Sequence, residues 1–198
     1  MTFRVALTFD AEHPDRPHDV GATENVLDAL DAEGVTATFF IQGRWAEAYP
    51  ALARFVAERG HLIGNHSFYH ARMPLLSSAG LATDIRAAER AIVAATGADP
   101  RPWFRCPFGA GTDDPRVCAA IERLGYREIH WDVDGADWRP SMRGRGMARQ
   151  ITRDAVARGD GCVILLHPWT RATGLGLAPL IDGLRSAGAT FVRVDALA

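Results

Sequence analysis

Apolar and polar residues along this chain fall into two alternating periods from end to end. Short runs that are period-two or wholly apolar alternate with longer stretches whose apolar residues recur three and four apart, the marks of strands and amphipathic helices. Arg4 to Asp10 places Val5, Leu7 and Phe9 on one face, as a strand does. Thr23 is placed to cap a helix over Glu24 to Glu33, which Gly34 ends. Thr36 to Ile41 is β-branched and aromatic and reads as a second strand, followed by a helix from Ala46 to Glu58 closed by Gly60. His61 to Gly64 is a short third strand. Thr83 to Thr96 is the clearest helix, with Ile85, Ala88, Ile92 and Ala95 on one face and Gly97 behind it.

The alternation continues through a strand at Trp103 to Arg105, a helix at Pro115 to Leu124 and a fifth strand at Glu128 to Asp132. A helix over Met147 to Arg158 precedes Cys162 to Leu166, which is wholly apolar, as a strand buried on both faces should be. A helix at Leu177 to Ser186 and a strand at Thr190 to Val194 complete the pattern. Seven strands with intervening helices predict an α/β fold with a mostly parallel sheet rolled into a barrel. No internal repeat, low-complexity tract or linker interrupts it, so residues 1–198 read as a single domain. The least patterned stretches, Glu12 to Ala22 and Asp134 to Gly146, each follow a strand's C-terminal end, where such barrels place their chemistry.

Composition narrows the picture rather than directing it. At 47% hydrophobic and 23% charged residues with a formal net charge of -2, the chain is an ordinary globular sequence. Nothing in it marks nucleic acid or an anionic membrane as a partner. Three cysteines, Cys106, Cys118 and Cys162, form no CxxC pair, which argues against a disulfide framework and fits a reducing compartment. Cys162, inside its apolar run, reads as a small core residue. The N-terminus enters the first strand directly, without a basic and then apolar leader pattern, and the cytoplasm is the expected address. The oligomeric state is not encoded in any pattern seen here.

The polar candidates share one topological position. Asp10 and Glu12 end the first strand, His66 and His70 follow the third and Arg105 ends the fourth. Asp132, Asp134 and Asp137 follow the fifth, and His167 follows the sixth. His66 and His70 are four apart, so on a helical turn two imidazoles share a face and can reach one divalent cation. The alternative is two unrelated surface histidines; their place on the common rim favours the metal. Nitrogen ligands suit Zn²⁺ or Co²⁺ better than Mg²⁺ or Ca²⁺. Asp10 and Glu12 can divide two tasks, one carboxylate coordinating metal and the other acting as general base, or can simply cap a strand-to-loop turn. His167, leaving an apolar strand, is a candidate general acid or a satisfied loop histidine.

Five segments in order resemble the motifs of the polysaccharide deacetylases, the NodB-homology domain of carbohydrate esterase family four. They are Thr8-Phe9-Asp10-Ala11-Glu12, His66-Ser67-Phe68-Tyr69-His70, Arg105-Cys106-Pro107-Phe108-Gly109, Asp134-Gly135-Ala136-Asp137-Trp138 and Leu166-His167. The resemblance implies a distorted (β/α)7 barrel and metal-assisted hydrolysis of an acetyl amide or ester. It implies Asp10 as the base, His66 and His70 as metal ligands, and the backbone N–H of Phe108 as an oxyanion donor. It further implies His167 as the acid, Arg105 and Asp137 as groups that orient Asp10 and His167, and Leu166 and Trp138 as the lining of the acetyl pocket. The divalent metal is expected to be zinc, with cobalt or nickel as substitutes.

The chain departs from the family pattern where a second aspartate, a metal ligand, is replaced by Ala11. Glu12 is the expected substitute, ahead of His13 and Asp15, and other branches of the superfamily open with an Asp-x-Glu of this kind. Phe108 stands where tyrosine is usual, and Pro168-Trp169 after His167 should reshape the acceptor side of the groove. The expected activity is deacetylation of an N-acetylated sugar or amino-sugar conjugate, with a small-molecule or oligosaccharide substrate; O-deacetylation is chemically close. Two further readings keep the barrel: hydrolysis of a cyclic amide or ureide, as in an allantoinase-like branch, and a non-catalytic binding protein that Ala11 would suit.

Overall fold

A computed structural model describes residues 2–15 and 21–197. Of the expected loop from Glu12 to Ala22, residues 16–20 lie outside the described residues. Strand β1 (Phe3–Ala11) is the centre of an entirely parallel sheet. Along Val5 to Phe9 it pairs with β7 (Cys162–Leu166). On its other side it pairs first with β8 (Ala189–Phe191) and then, from Thr8 to Ala11, with β2 (Thr38–Ile41). Beyond β2 the order runs through β3 (Leu62–Asn65) and β4 (Trp103–Phe104) to β5 (Arg127–Glu128), and beyond β7 lies β6 (Val133–Asp134).

The curvature of the sheet follows from its connectivity. β5 and β6 are its two edges, yet only residues 129–132 separate them in sequence. A flat sheet with six inter-strand gaps would hold its edges about 29 Å apart. Five residue steps of fully extended chain cover at most about 18 Å. The sheet must therefore curl, and the short segment closes it covalently: the Ile129 N–H donates to the Phe104 carbonyl (2.7 Å) and the Asp132 N–H to the Val163 carbonyl (2.8 Å). This is the distorted (β/α)7 barrel expected from the motifs. It also corrects the expected fifth strand from Glu128 to Asp132. That run is two short strands on opposite edges, because the chain changes partner from β4 to β7 midway.

Helices α1 (Ala22–Ala32), α2 (Gly43–Ala48), α3 (Pro50–Glu58), α4 (Ser78–Thr96), α5 (Pro115–Arg123), α6 (Gly144–Arg158) and α7 (Arg171–Ser186) flank the sheet. β1 is buried on both faces from Val5 to Ala11, not on one face as expected, because it is central. Val5, Leu7, Phe9 and Ala11 join the main core with Val26, Leu30, Ile92 and Leu180, while Ala6 packs with Phe40 and Trp103 inside the curl. The period of two thus sends alternate residues to the helices and to the interior. No helix among the described residues is long and apolar enough to cross a membrane.

Several boundaries differ from the sequence expectation for identifiable reasons. The expected helix over Ala46 to Glu58 is two, broken at Tyr49 because the following Pro50 disfavours a helical conformation there. Gly21, not Thr23, flanks the start of α1, and Thr23 lies in the first turn. α4 begins five residues early, capped by the Ser77 side chain, which accepts from the Gly80 N–H. α7 begins six residues early at the Thr170 cap, its start hidden in the sequence by Gly174, Gly176 and Pro179. The last strand is Ala189 to Phe191 rather than Thr190 to Val194, since Val194 opens a short 3₁₀ turn.

Candidate active site

In a parallel sheet all C-terminal strand ends share one rim. Asp10 arrives there on β1, His66 just past β3, Arg105 past β4, Asp134 on β6 and His167 past β7. On β1 the period of two places Thr8, Asp10 and Glu12 on the interior face and Ala11 among the helix-facing core residues. Strand geometry therefore brings the carboxylate at position 12, not position 11, into the site. Glu12 Oε2 meets both histidines: it contacts His70 Nε2 and lies 3.3 Å from His66 Nε2. One ligand atom from each of Glu12, His66 and His70 falls within 4.8 Å of the others, and all three residues are buried.

These residues fit a divalent cation. The His66 Nδ1 lies 3.0 Å from the Arg105 carbonyl, which can only accept. That nitrogen consequently carries a proton, and Nε2 faces Glu12, able to donate to the carboxylate when protonated or to bind a cation when not. Two imidazole nitrogens and one carboxylate oxygen are a donor set suited to zinc or cobalt. Charge balance agrees. Asp84 aside, which accepts from loop N–H groups, the buried acids of the site are Asp10, Glu12 and Asp137, against Arg105 and a protonated His167, so one negative charge of the site is left for a cation or an extra proton to offset.

The histidine segment reaches this geometry without a helix, contrary to the expected helical turn. Residues 66–72 form a loop in which Ser67 (φ 63°) and His70 (φ 57°) are left-handed. The loop is held by side chains: Asn65 accepts from the Ser67 N–H, Ser67 Oγ from the His70 N–H, and the buried Asp84 carboxylate from the Phe68 and Tyr69 N–H groups. Among the described residues, the five non-glycine positions with positive φ, namely His13, Ser67, His70, Phe108 and Ala136, all lie in loops or short turns on this rim. Such conformations are costly for L-residues and persist where the surrounding structure over-determines them.

On one side of the triad, Arg105 is completely buried and donates from Nη1 to Thr8 Oγ1 (2.8 Å) and Asp10 Oδ1 (2.9 Å), and from Nε to the Ile129 carbonyl (3.0 Å). Its guanidinium lies over the Phe40 ring at 4.1 Å. Asp10 Oδ2, the oxygen Arg105 leaves free, is 3.4 Å from His66 Nε2. On the other side, Asp137 Oδ1 accepts from His167 Nδ1 (2.8 Å), while Oδ2 accepts from the His167 N–H (2.7 Å) and from the hydroxyls of Thr170 and Thr173. His167 Nε2 then faces Glu12 Oε1 at 3.7 Å.

The electrostatics are set by these contacts. Burial alone would discharge Glu12, but hydrogen bonds from His13, His66 and His70 outweigh it and hold the carboxyl well below its ordinary range. Burial likewise opposes charge on His167, yet Asp137, with Glu12 and Asp10 behind it, raises its pKa to about 9. At His66, burial is outweighed by the carboxylates of Asp10 and Glu12, which raise its pKa; at His70 burial prevails and the pKa falls.

A pocket of about 330 Å³ opens onto this cluster, lined by Asp10, Glu12, His70, Phe108, Trp138 and His167 among others. Trp138 (49% exposed) and Phe108 (50% exposed) form its mouth, and the Phe108 ring stands edge-on to His70 at 4.4 Å. Leu166 is not part of it. By strand alternation Leu166 and Ile164 enter the helix-facing core while Leu165 and His167 face the pocket, so Leu165 and not Leu166 lines it. Asp132 is also elsewhere, paired with Arg158 on the surface. His13, expected as a lesser ligand candidate, places Nε2 2.9 Å from Glu12 Oε1, and sequence reading missed Asp84, Thr170 and Thr173. Only the helix-cap pattern at Thr170 and Thr173 was available to signal any of them.

A family model described as polysaccharide deacetylase matches residues 2–129. The peptidoglycan-N-acetylmuramic acid deacetylase PdaA of Bacillus subtilis is 28% identical over 193 residues, which cover 98% of this chain and 70% of that protein. The structure of a family 4 carbohydrate esterase from Streptomyces lividans in complex with acetate superposes with a TM-score of 0.81 at 32% identity, covering 96% of this chain and 91% of that one. A family 4 pseudoenzyme from Bacillus anthracis superposes with a TM-score of 0.88 at 26% identity, covering 99% and 65%. With the family model spanning well over half its length and the same curled parallel sheet beneath, this chain belongs to the polysaccharide deacetylase family, carbohydrate esterase family 4.

Proposed function

We propose that the protein hydrolyses the acetamide of an N-acetylated amino sugar, with a divalent cation, zinc in the first instance, held by Glu12, His66 and His70. One observation carries this reading: the donor triad, an Asp10 fixed by Arg105 and a His167 fixed by Asp137 all converge on a single pocket. A cation in that triad would polarise the acetyl carbonyl as a Lewis acid and offset the surplus buried negative charge.

The remaining steps belong to the chain's own side chains. Asp10 takes a proton from the attacking water through Oδ2, while Arg105 holds Oδ1 and so fixes the carboxylate plane. The Phe108 backbone N–H donates to the oxygen on which charge develops. As the C–N bond breaks, His167 gives its Nε2 proton to the departing amine, and Asp137 holds the imidazole in the orientation and charge state this needs. The products are acetate and a free amino sugar. Trp138, Phe108 and Leu165 enclose the acetyl group and exclude water from it. The pseudoenzyme of similar fold makes a binding protein the competing reading. A binding protein has no use for a fixed base and a fixed acid on one pocket, and this chain retains Asp10, Arg105, Asp137 and His167.

The test is release of amine and acetate from chitotetraose by the zinc-loaded protein. All 22 of the chain's basic residues counted as lysine or arginine are arginine, so amine-reactive fluorophores see little protein background. Equal amounts of the two products are expected, with turnover about 10²–10⁴-fold lower in Asp10→Asn and in His167→Ala. No acetate from chitotetraose or from an acidic N-acetylated amino-sugar conjugate with any divalent metal, or undiminished release by Asp10→Asn, would sink the proposal.

A further inference from the structure

A second and larger cavity, of about 680 Å³, adjoins the acetyl pocket and shares Trp138 and Trp169 with it. It runs between the loop after β6 and the first turn of α7, and its walls include Arg139, Arg143, Arg171 and Leu175. Its floor is set by close helix packing: a Cβ on Gly176 would sit 2.6 Å from the Gly144 carbonyl oxygen, so α6 and α7 begin in near contact. Both helix N-termini line the cavity and add partial positive charge to it.

The cavity gathers arginines that no neighbouring acid neutralises. Arg4, Arg59, Arg101, Arg158, Arg185 and Arg193 are each paired with an acid. Arg139, Arg143 and Arg171 have no acidic partner among the described residues; Arg143 reaches only the Pro140 and Met142 carbonyls, and Arg139 lies 5.4 Å from the Trp138 ring. The one carboxylate among the described residues that line the cavity, Asp137, is committed to His167, Thr170 and Thr173. Trp169, which lines both cavities, carries a buried indole nitrogen with no hydrogen-bond partner among the described residues.

We infer that this cavity binds an anionic group, carboxylate or phosphate, carried by the substrate next to the sugar whose acetamide is cleaved. Planar guanidinium groups match both anions in geometry, and the exposed faces of Trp138 and Leu175 suit the apolar side of a neighbouring ring. The substrate class is then an acidic amino-sugar conjugate rather than a neutral oligomer. This rests on the deacetylase reading for what happens in the adjoining pocket, but the binding can be measured without turnover.

The experiment titrates the zinc-loaded protein by tryptophan fluorescence with three probes: neutral chitotetraose, a muramic-acid-containing disaccharide bearing a carboxylate, and UDP-N-acetylglucosamine bearing phosphates. Amine release is followed in parallel. At least one anionic probe should bind about tenfold or more tightly than the neutral one, as expected for a single charge-assisted hydrogen bond. That advantage should shrink as NaCl rises. Arg139→Gln/Arg171→Gln should lose the advantage while leaving chitotetraose unaffected, and Arg139→Lys/Arg171→Lys should keep part of it. Which anionic probe wins identifies carboxylate or phosphate. Equal binding of neutral and anionic probes, or equal losses for both in the glutamine variant, would overturn the inference. Amine release without charge preference would leave the deacetylase standing and remove the anion site; arginine-dependent binding without amine release from any probe would do the reverse.

Discussion

Replacing Arg105 by methionine removes the most deeply embedded arginine among the described residues. Its guanidinium is completely buried and makes three hydrogen bonds of 2.8–3.0 Å, to Thr8, Asp10 and the Ile129 carbonyl. Methionine matches the apolar contact with Phe40 but leaves the Asp10 carboxylate buried without its partner. Breaking one side of a buried pair in this way costs about 3–5 kcal/mol. A domain holds only about 5–15 kcal/mol in total, so the loss is a large fraction of stability. With a urea slope of about 2 kcal/mol per molar, the unfolding midpoint should fall by about 2 M. Asp10→Asn alone strands the arginine instead, whereas the double variant strands neither charge. A double-mutant cycle in the metal-free protein should therefore give a coupling of about 2 kcal/mol or more. A loss below about 1 kcal/mol for Arg105→Met, or single effects that add within about 0.5 kcal/mol, would refute the argument that Arg105 and Asp10 act as one buried unit.

Further outcomes follow from the same structure. Asp137 raises the pKa of His167, so kcat/KM should fall along an alkaline limb above the ordinary histidine range; Asp137→Asn should move this limb downward, and an unmoved limb would exclude His167 as the acid. Burial lowers the pKa of His61, whose Nδ1 accepts from the Ala37 N–H, to about 4. Its neutral form stabilises the fold fully above pH 6.5, and that stability, on the order of 3 kcal/mol, should drain away between pH 6.5 and 4. Urea midpoints across that range in wild type and His61→Leu check this, the variant showing the flatter profile. Gly176→Ala should cost about 1–3 kcal/mol, because the added methyl meets the Gly144 backbone rather than a movable side chain. Its unfolding temperature should drop accordingly, and an unchanged value would contradict the close packing of α6 and α7.

Much of this molecule was legible in its sequence because the signals were local and periodic. The wholly apolar run Cys162–Leu166 reads as a doubly buried strand, and it lies in the sheet beside β1. The shared rim was legible too, since in a parallel sheet every strand's C-terminal end lies on one side. What escaped was set by partners distant in sequence. The split of residues 127–134 between two sheet edges depends on β4 and β7, not on its own pattern. The histidine loop takes its shape from Asp84, eighteen residues after His66, and from left-handed residues that no hydrophobic period encodes. Strand alternation could have told Leu165 from Leu166; the motif alignment masked it. Ala11 was read as a loss, but the same alternation shows that position turned into the core and Glu12 turned inward.

The central claim is that Glu12 completes the cation site with His66 and His70, and metal content measures it most directly. Purified wild-type protein, dialysed against excess Zn²⁺ and then buffer, should retain one equivalent of zinc per chain by elemental analysis. Glu12→Ala, checked for folding by circular dichroism, should retain little, while Asp15→Ala should match wild type. A folded Glu12→Ala protein that keeps a full equivalent of zinc and its activity would contradict the account, as would a wild-type protein with no affinity for zinc, cobalt or nickel.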